Sequence, residues 1–246
     1  MSYYFIHDRS QIARFQQLVY IDIGIGIQQI CLSARKKYGA SIHTSAYHFN
    51  HLILGQPHDG DELARYIQRY EVTIGAYLDD NKQNLPNECL SVYSTLNPRD
   101  SCQVIENMYD SYFKELKESS KSRLPIKFNL KNTLKSEISK CVLKDKELPF
   151  YLQVDIDTKD VDTVNQVIDW CQQRKMVVYF STETRGGYHI IFDRRLIPNN
   201  QQSRLKLQID KVELLTAEQL LTVPGTMQGG FPVVFADWLT DRCNNV

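Results

Sequence analysis

The residues best placed by type and spacing to do chemistry are Asp155 and Asp157, which flank Ile156 at the end of the apolar run Phe150-Tyr151-Leu152-Gln153-Val154. Side chains of a strand alternate between its two faces, so the run predicts a strand on which both carboxylates project from one side. Two carboxylates a few ångströms apart repel, and both stay ionised at neutral pH only when cations accompany them. On repulsion alone, removing either one should leave the stability of the metal-free protein unchanged or higher. Aspartate oxygens suit Mg²⁺ or Mn²⁺, which keep several waters and share their remaining positions with phosphates. The pair therefore reads as half of a metal-assisted phosphoryl-transfer site, or else as a strand end whose two aspartates face water.

Such a pair needs elements to hold it. Val161, Val164, Ile168 and Cys171 recur at helical spacing behind Asp160 or Asp162, either of which can cap the helix. Met176-Val177-Val178-Tyr179-Phe180-Ser181 is a short β-rich run, Thr184-Arg185-Gly186-Gly187 a turn, and Tyr188-His189-Ile190-Ile191-Phe192 a second β run. The order is β-α-β-β, its last two strands joined as a hairpin. In it Asp155 and Asp157 share a surface with Arg185 and His189, both phosphate-binding types. The alternating run Leu205-Lys206-Leu207-Gln208-Ile209 predicts a further strand presenting Asp210 as a third carboxylate. Its neighbours are assigned elsewhere: Asp193 to an ion-pair cluster with Arg194 and Arg195, and Glu213 to the opposite strand face.

Beyond Asp210 lies Val223-Pro224-Gly225-Thr226-Met227-Gln228. The ordered set resembles the archaeo-eukaryotic primase superfamily, which includes primase small subunits and primase-polymerases. Its motifs are a hydrophobic-Asp-hydrophobic-Asp strand, a Ser/Gly/Arg-rich turn leading to a His, and a third hydrophobic-Asp strand. An Arg-Leu-Pro-Gly-Ser-Leu-His-like loop follows in archaeal-type members, and Val223 to Gln228 is similar to it. The resemblance covers residues 150–235, roughly a third of the chain. It implies an RRM-like catalytic core. Asp155, Asp157 and Asp210 would hold two divalent ions, Mg²⁺ or Mn²⁺. His189 and Arg185, with Thr184 and Ser181 beside them, would contact the triphosphate of an NTP or dNTP. Single-stranded DNA would be the template, and a helicase or another replication protein a partner. The implied activity is template-dependent nucleotidyl transfer; a catalytically lapsed binding or scaffold subunit and a nuclease are the alternatives. The family's Arg before Leu-Pro-Gly is Thr222 here and its His is Gln228. No Lys follows Gly229-Gly230, and Arg185 stands one residue further from the His than in the archaeal pattern.

The 246 residues suffice for one large or two small domains with ample core. A formal net charge of zero counts against tight autonomous nucleic-acid binding without excluding a local basic cleft. Six scattered cysteines without a Cys-x-x-Cys signal neither a zinc ribbon nor a disulfide framework, which fits a reducing intracellular setting. The first residues meet charge too early for a signal peptide, and no transmembrane segment is expected. Asp22-Ile23-Gly24-Ile25-Gly26 lacks the third glycine of a dinucleotide fingerprint. Ile27, Ile30, Cys31, Ala34 and Tyr38 suggest a helix ending at Gly39, with Arg35-Lys36-Lys37 as a solvated face or a phosphate-contacting patch. His43, His48, His51 and His58 do not follow a zinc spacing and suit a polar hairpin or loop. A helix is expected over Asp61–Tyr70, a loop over residues 78–88 and a strand over residues 90–96. Asn97-Pro98-Arg99 then offers Arg99 to a phosphate, or forms a plain surface turn. Asp100 or Ser101 caps a helix carrying Ile105, Met108, Tyr112 and Leu116. Lys114 to Lys146 is rich in lysine: an exposed face, a connection or a nucleic-acid contact. The expected architecture is α/β (α+β): a mainly helical N-terminal module, 1–146, an RRM-like βαββ core of the primase type, 147–240, and a polar tail, 241–246.

Overall fold

The structure, a computed structural model, describes residues 1–20, 26–39, 46–54, 61–122, 125–126, 128–141, 150–197, 206–215 and 220–245. Within these lie six α-helices and two antiparallel sheets, a mixed α/β architecture. The first part holds α1 (Arg9–Val19), β1 (Gly26–Arg35), β2 (Ala46–Leu54), α2 (Glu62–Gln68), β3 (Leu90–Thr95), β4 (Arg99–Asp100), α3 (Ser101–Ser122) and α4 (Leu130–Lys140). The second holds β5 (Tyr151–Ile156), α5 (Val161–Gln173), β6 (Val178–Glu183), β7 (Tyr188–Asp193) and β8 (Val212–Leu215). The chain closes with β9 (Leu220–Thr222), β10 (Met227–Gln228), β11 (Phe231–Pro232), β12 (Val234–Phe235) and α6 (Asp237–Asn244). No helix among the described residues is long and apolar enough to cross a membrane.

The smaller sheet runs β12-β6-β7-β5-β8. Its sequence logic is strict alternation. On β5, Leu152, Val154 and Ile156 join the core beneath α5 and α6, with Val164, Ile168, Phe192 and Leu239. Tyr151, Gln153 and Asp155 therefore take the other face. Helix α5 starts where Asp160, rather than Asp162, accepts the Thr163 N–H at 2.9 Å. The expected β-α-β-β order and the β6–β7 hairpin are both present.

Among the described residues of 1–146, helices α1–α4 stand beside four strands, β1–β4. Residues 26–35, expected as a helix, form β1, the centre of a seven-stranded sheet ordered β11-β10-β3-β1-β2, with β4 also on β1 and β9 also on β3. Ile27, Ile30, Cys31, Leu32 and Ala34 are all buried, and so are Gln28 and Ser33. A strand covered on both faces loses its alternation, and the apolar spacing then fits a helical template equally well. Gly39, with φ 97°, does end a helix, but only the 3₁₀ turn Lys36–Tyr38. Because β9, β10 and β11 belong to this sheet, the larger sheet draws on both sides of residue 146. One core unites α1, α2 and the larger sheet with Tyr151, Phe180 and Ile191 of the smaller. Residues 237–244 are helical, with Leu239 and Cys243 fully buried, so the helix takes in the first four residues of the polar tail.

The dinucleotide-like stretch around Gly24 lies largely outside the described residues, as do His43 and His58.

Candidate functional site

Asp155 sits on β5 directly opposite His189 on β7 and opposite Glu213 on β8, while Thr182 on β6 faces His189. Residues in cross-strand register share a face, so Thr182, His189, Asp155 and Glu213 form one row across the sheet. Asp157 continues the parity of Asp155 just past the strand end, its N–H bonded to the Lys211 carbonyl at 2.9 Å. The sequence expectation that both aspartates project from one face is met by this backbone. The His189 Nε2 stands 3.3 Å from Asp155 Oδ1, and the two side chains are only 12% and 29% exposed. With Nε2 so engaged, His189 Nδ1 is buried without a hydrogen-bond partner, as are Thr182 Oγ1 and Gln153 Oε1 on the same face. Burial alone would raise the Asp155 carboxyl. The His189 hydrogen bond and charge, with Lys37 and Arg35, more than reverse this and hold it below its ordinary value.

Those two cations come from the other sheet. Arg35 ends β1 and lies over the Tyr93 ring at 5.2 Å. Lys37, in the 3₁₀ turn that follows, places Nζ 4.0 Å from Asp157 Oδ1. Between the two sheets lies a cleft of about 120 Å³. Its acidic wall is Asp155 and Asp157 with Gln153, Thr184 and His189; its basic wall is Arg35 and Lys37 with Tyr38, Tyr93, Thr222 and Gln228. Burial, reinforced by Tyr93, pushes the Tyr38 phenol up to about 12, which keeps it a neutral hydroxyl. That hydroxyl is buried without a partner, as are those of Ser33 and Ser91 on the larger sheet.

Arg185 is exposed and is not among the lining residues, but it is fixed against two of them, Tyr38 and Gln228. Its Nη1 donates to the Gly229 carbonyl at 2.7 Å, its backbone N–H donates to Gln228 Oε1 at 3.0 Å, and its guanidinium lies 4.7 Å over the Tyr38 ring. A Cβ on Gly229 (φ 58°) would come within 2.4 Å of that guanidinium, so the close approach requires glycine. The Pro-Gly loop is anchored elsewhere: the Gly225 carbonyl accepts from His7 and Asp8 N–H groups at 2.7 and 2.9 Å. The loop's two departures from the family pattern, Thr222 and Gln228, both line the cleft and hydrogen-bond each other at 3.3 Å.

The remaining expectations divide. Thr184 lines the cleft, its hydroxyl bonded to the Gly187 carbonyl at 3.3 Å. Ser181 does not: it is fully buried on the opposite face, donating to the Ala236 carbonyl at 2.7 Å. Strand parity explains the difference, since Ser181 is odd with respect to Thr182. Lys36 is exposed in the 3₁₀ turn and is not part of the cleft lining. Arg99 is buried on β4, paired with the start of β1 and so about eight residues, ~26 Å, along that strand from Arg35. It is not offered at the surface. Burial pulls its guanidinium down to about 10. Asp193 forms the expected ion pair, 2.6 Å from Arg195 Nη2.

Asp210 is not on a strand. It lies exposed in the turn before β8, next to Lys211 at φ 60°, and is absent from the cleft lining. The strand begins two residues later, which gives the cross-strand position beside Asp155 to Glu213. Among the described residues no group of three or more His, Cys, Asp and Glu converges as a metal site. The donor set is thus the Asp155–Asp157 pair, which fits a hard cation that keeps waters and takes its other oxygens from phosphate. Sequence reasoning missed Tyr38, Tyr93, Gln153 and Thr182; only the 91/93 and 153/155 parity of their strands carried a signal. No family model, no curated protein and no solved structure matches the chain.

Proposed function

We propose that the inter-sheet cleft is a nucleotidyl-transfer site of primase or primase-polymerase type, acting on an NTP or dNTP against a single-stranded template. One observation carries the reading: two carboxylates on one wall face two cations on the other, with a histidine and an arginine at the margin. A bare anion would be repelled by the acidic wall, and a bare cation by the basic one. A phosphate accompanied by a divalent ion satisfies both. The strand order β6-β7-β5-β8, with α5 joining β5 to β6 around the intervening β7, is the split β-α-β arrangement and supports an RRM-like core.

In this reading Asp155 and Asp157 hold Mg²⁺ or Mn²⁺. When bound, the ion supplies charge neutralisation on the phosphates and lowers the pKa of an attacking hydroxyl. Arg35 and Lys37 bind and orient phosphate oxygens as the charge spreads. Arg185, fixed by Gly229 and Tyr38, completes the phosphate end. His189 orients Asp155 through Nε2, leaving Nδ1 to meet the nucleotide. The template strand and a replication partner such as a helicase rest on the family resemblance.

The test supplies labelled NTP or dNTP with single-stranded DNA, comparing Mg²⁺ with Mn²⁺. Incorporation by the wild type should be abolished by Asp155→Ala and by Asp157→Ala. His189→Ala should raise the nucleotide concentration required while leaving template binding alone. Wild-type incorporation by both aspartate variants would sink the proposal. A second reading, a binding or scaffold subunit with lapsed chemistry, is favoured by the two-carboxylate donor set. It predicts no incorporation and no specific Mn²⁺ binding by the wild type.

A further inference from the structure

The inter-sheet cleft changes character from its mouth to its depth, and the strand directions show how. Lys37 and Asp157 stand at the mouth, with Arg35 and Asp155 next inward. Strand β3 runs antiparallel to β1, so it advances inward from Ser91 to Thr95. Just beyond, Asn97 clamps Tyr151 of β5, accepting its N–H at 2.7 Å and donating to its carbonyl at 3.0 Å. The inner end therefore sets Tyr93 and Leu220 of the larger sheet against Gln153 of the smaller, and none of the three is charged. Gln153 lies two residues, ~7 Å, inward of Asp155 on the same face of β5. It is 3% exposed, and its Oε1 is buried without a partner among the described residues. Tyr93 Oη accepts from Gln228 Nε2 at 3.4 Å, which leaves its own O–H to donate.

A phosphate held between the charged walls directs the group it carries towards this neutral end, and in a nucleotide that group is the sugar. The cleft, about 120 Å³, is well below the ~300–1,000 Å³ of pockets that enclose a whole small molecule, so the base stays outside. A sugar hydroxyl both donates and accepts. Gln153 Oε1 and the Tyr93 O–H supply one acceptor and one donor to match it. We propose, resting on the nucleotide reading above, that Gln153 is a specificity residue accepting a hydrogen bond from the sugar 2′-hydroxyl, so that the cleft selects ribonucleotides over 2′-deoxyribonucleotides. The 3′-hydroxyl must stay open for the following transfer, which leaves the 2′-hydroxyl for Gln153. A deoxy sugar enters the same space but leaves the buried acceptor unpaired, the mismatch that a site built around a hydroxyl rejects.

Calorimetric titrations of the full chain in Mn²⁺ test this without turnover, using ATP, 2′-deoxy-ATP, 3′-deoxy-ATP and 2′-fluoro-2′-deoxy-ATP. The fluorine nearly keeps the size of the hydroxyl but cannot donate. ATP and 3′-deoxy-ATP should bind about 10-fold more tightly than the two 2′-modified nucleotides, the value of one hydrogen bond to a buried acceptor. Gln153→Leu should bring ATP down to the level of 2′-deoxy-ATP at an unchanged or higher Tm, because the acceptor it removes has no partner. Equal binding of ATP and 2′-deoxy-ATP by the wild type overturns the proposal and leaves the nucleotide site standing. A 2′-fluoro nucleotide as tight as ATP, or a loss that follows the 3′-hydroxyl instead, overturns it too. So does a Gln153→Leu protein that binds both sugars more weakly by the same factor, which would make the residue structural. If that variant does not fold, the four nucleotides on the wild type decide the matter alone. Binding of none of the four refutes the nucleotide reading itself, and the sugar selection with it.

Discussion

Asp155→Asn separates two accounts of the acidic pair. If repulsion between Asp155 and Asp157 dominates, removing one charge stabilises the metal-free protein. The structure argues the reverse, because the carboxyl is held below its ordinary value by His189, Lys37 and Arg35 despite its burial. A hydrogen bond to a charged group contributes roughly 1.5–3 kcal/mol. The 3.3 Å separation and the partial exposure of Asp155 place this pair at the low end, about 1–2 kcal/mol. For a chain of this size each kcal/mol moves Tm by roughly 2–4 °C, so the variant should melt about 2–6 °C below wild type at pH 7. The sign with pH follows from the depressed value. Stability from Asp155 is fully present above the unfolded carboxyl pKa of about 3.9 and is lost as pH falls through the lower folded one. The gap between the two melting curves should therefore persist to about pH 4 and close below it. Thermal melts of metal-free protein across that range provide the measurement. A variant as stable as wild type at pH 7, or more so, refutes the compensated-carboxylate account.

Three further outcomes are expected. A Cβ on Gly187 would sit 1.8 Å from the Ile156 carbonyl oxygen, so Gly187→Ala should prise open the β5–β7 end and destabilise by ~3 kcal/mol or more. Gly186→Ala, whose nearest neighbours are 3.9 Å away, should melt like wild type in the same scan. In Mn²⁺ titrations Glu213→Gln should weaken binding more than Asp210→Asn, since Glu213 holds the position beside Asp155; the opposite order would return the third carboxylate to Asp210. Ser181→Ala should lower stability by about 1 kcal/mol and leave the nucleotide KM unchanged, because its hydroxyl serves Ala236; a raised KM would put it back in the site.

The acidic wall was legible because everything that forms it is local. Asp155 and Asp157 take their face from β5 alone, and the helix cap, the hairpin and His189 lie within about forty residues of sequence. Asp210 was misplaced for an equally local reason. The run 205–209 alternates, yet its described part, 206–209, has no strand, and β8 starts only after the left-handed Lys211. Ile105, Tyr112 and Leu116 of α3 show the same limit from another side, since all three are exposed. Periodicity identified the helix and its apolar stripe, but no local pattern says whether a stripe meets the chain's own core.

The basic wall needed information that the sequence pattern does not carry. Arg35 and Lys37 come 120 residues before the aspartates they oppose, on a strand whose two-sided burial disguised it as a helix. Had residues 27–38 been helical, Arg35, Lys36 and Lys37 would have spread over 200° of its circumference. As strand and 3₁₀ turn, they divide: Arg35 and Lys37 enter the cleft and Lys36 stays in solvent. The same fact resolves the neutral net charge. Zero overall does not describe the cleft, where positive and negative groups are segregated onto facing walls rather than mixed. Non-specific affinity for polyanions should then be weak, while in the proposed reading a phosphate that brings its own divalent ion would be favoured by both walls at once. The ion is what would let the acidic wall accept the ligand, so affinity for nucleotide and for metal should rise together, each raising the other by the same factor.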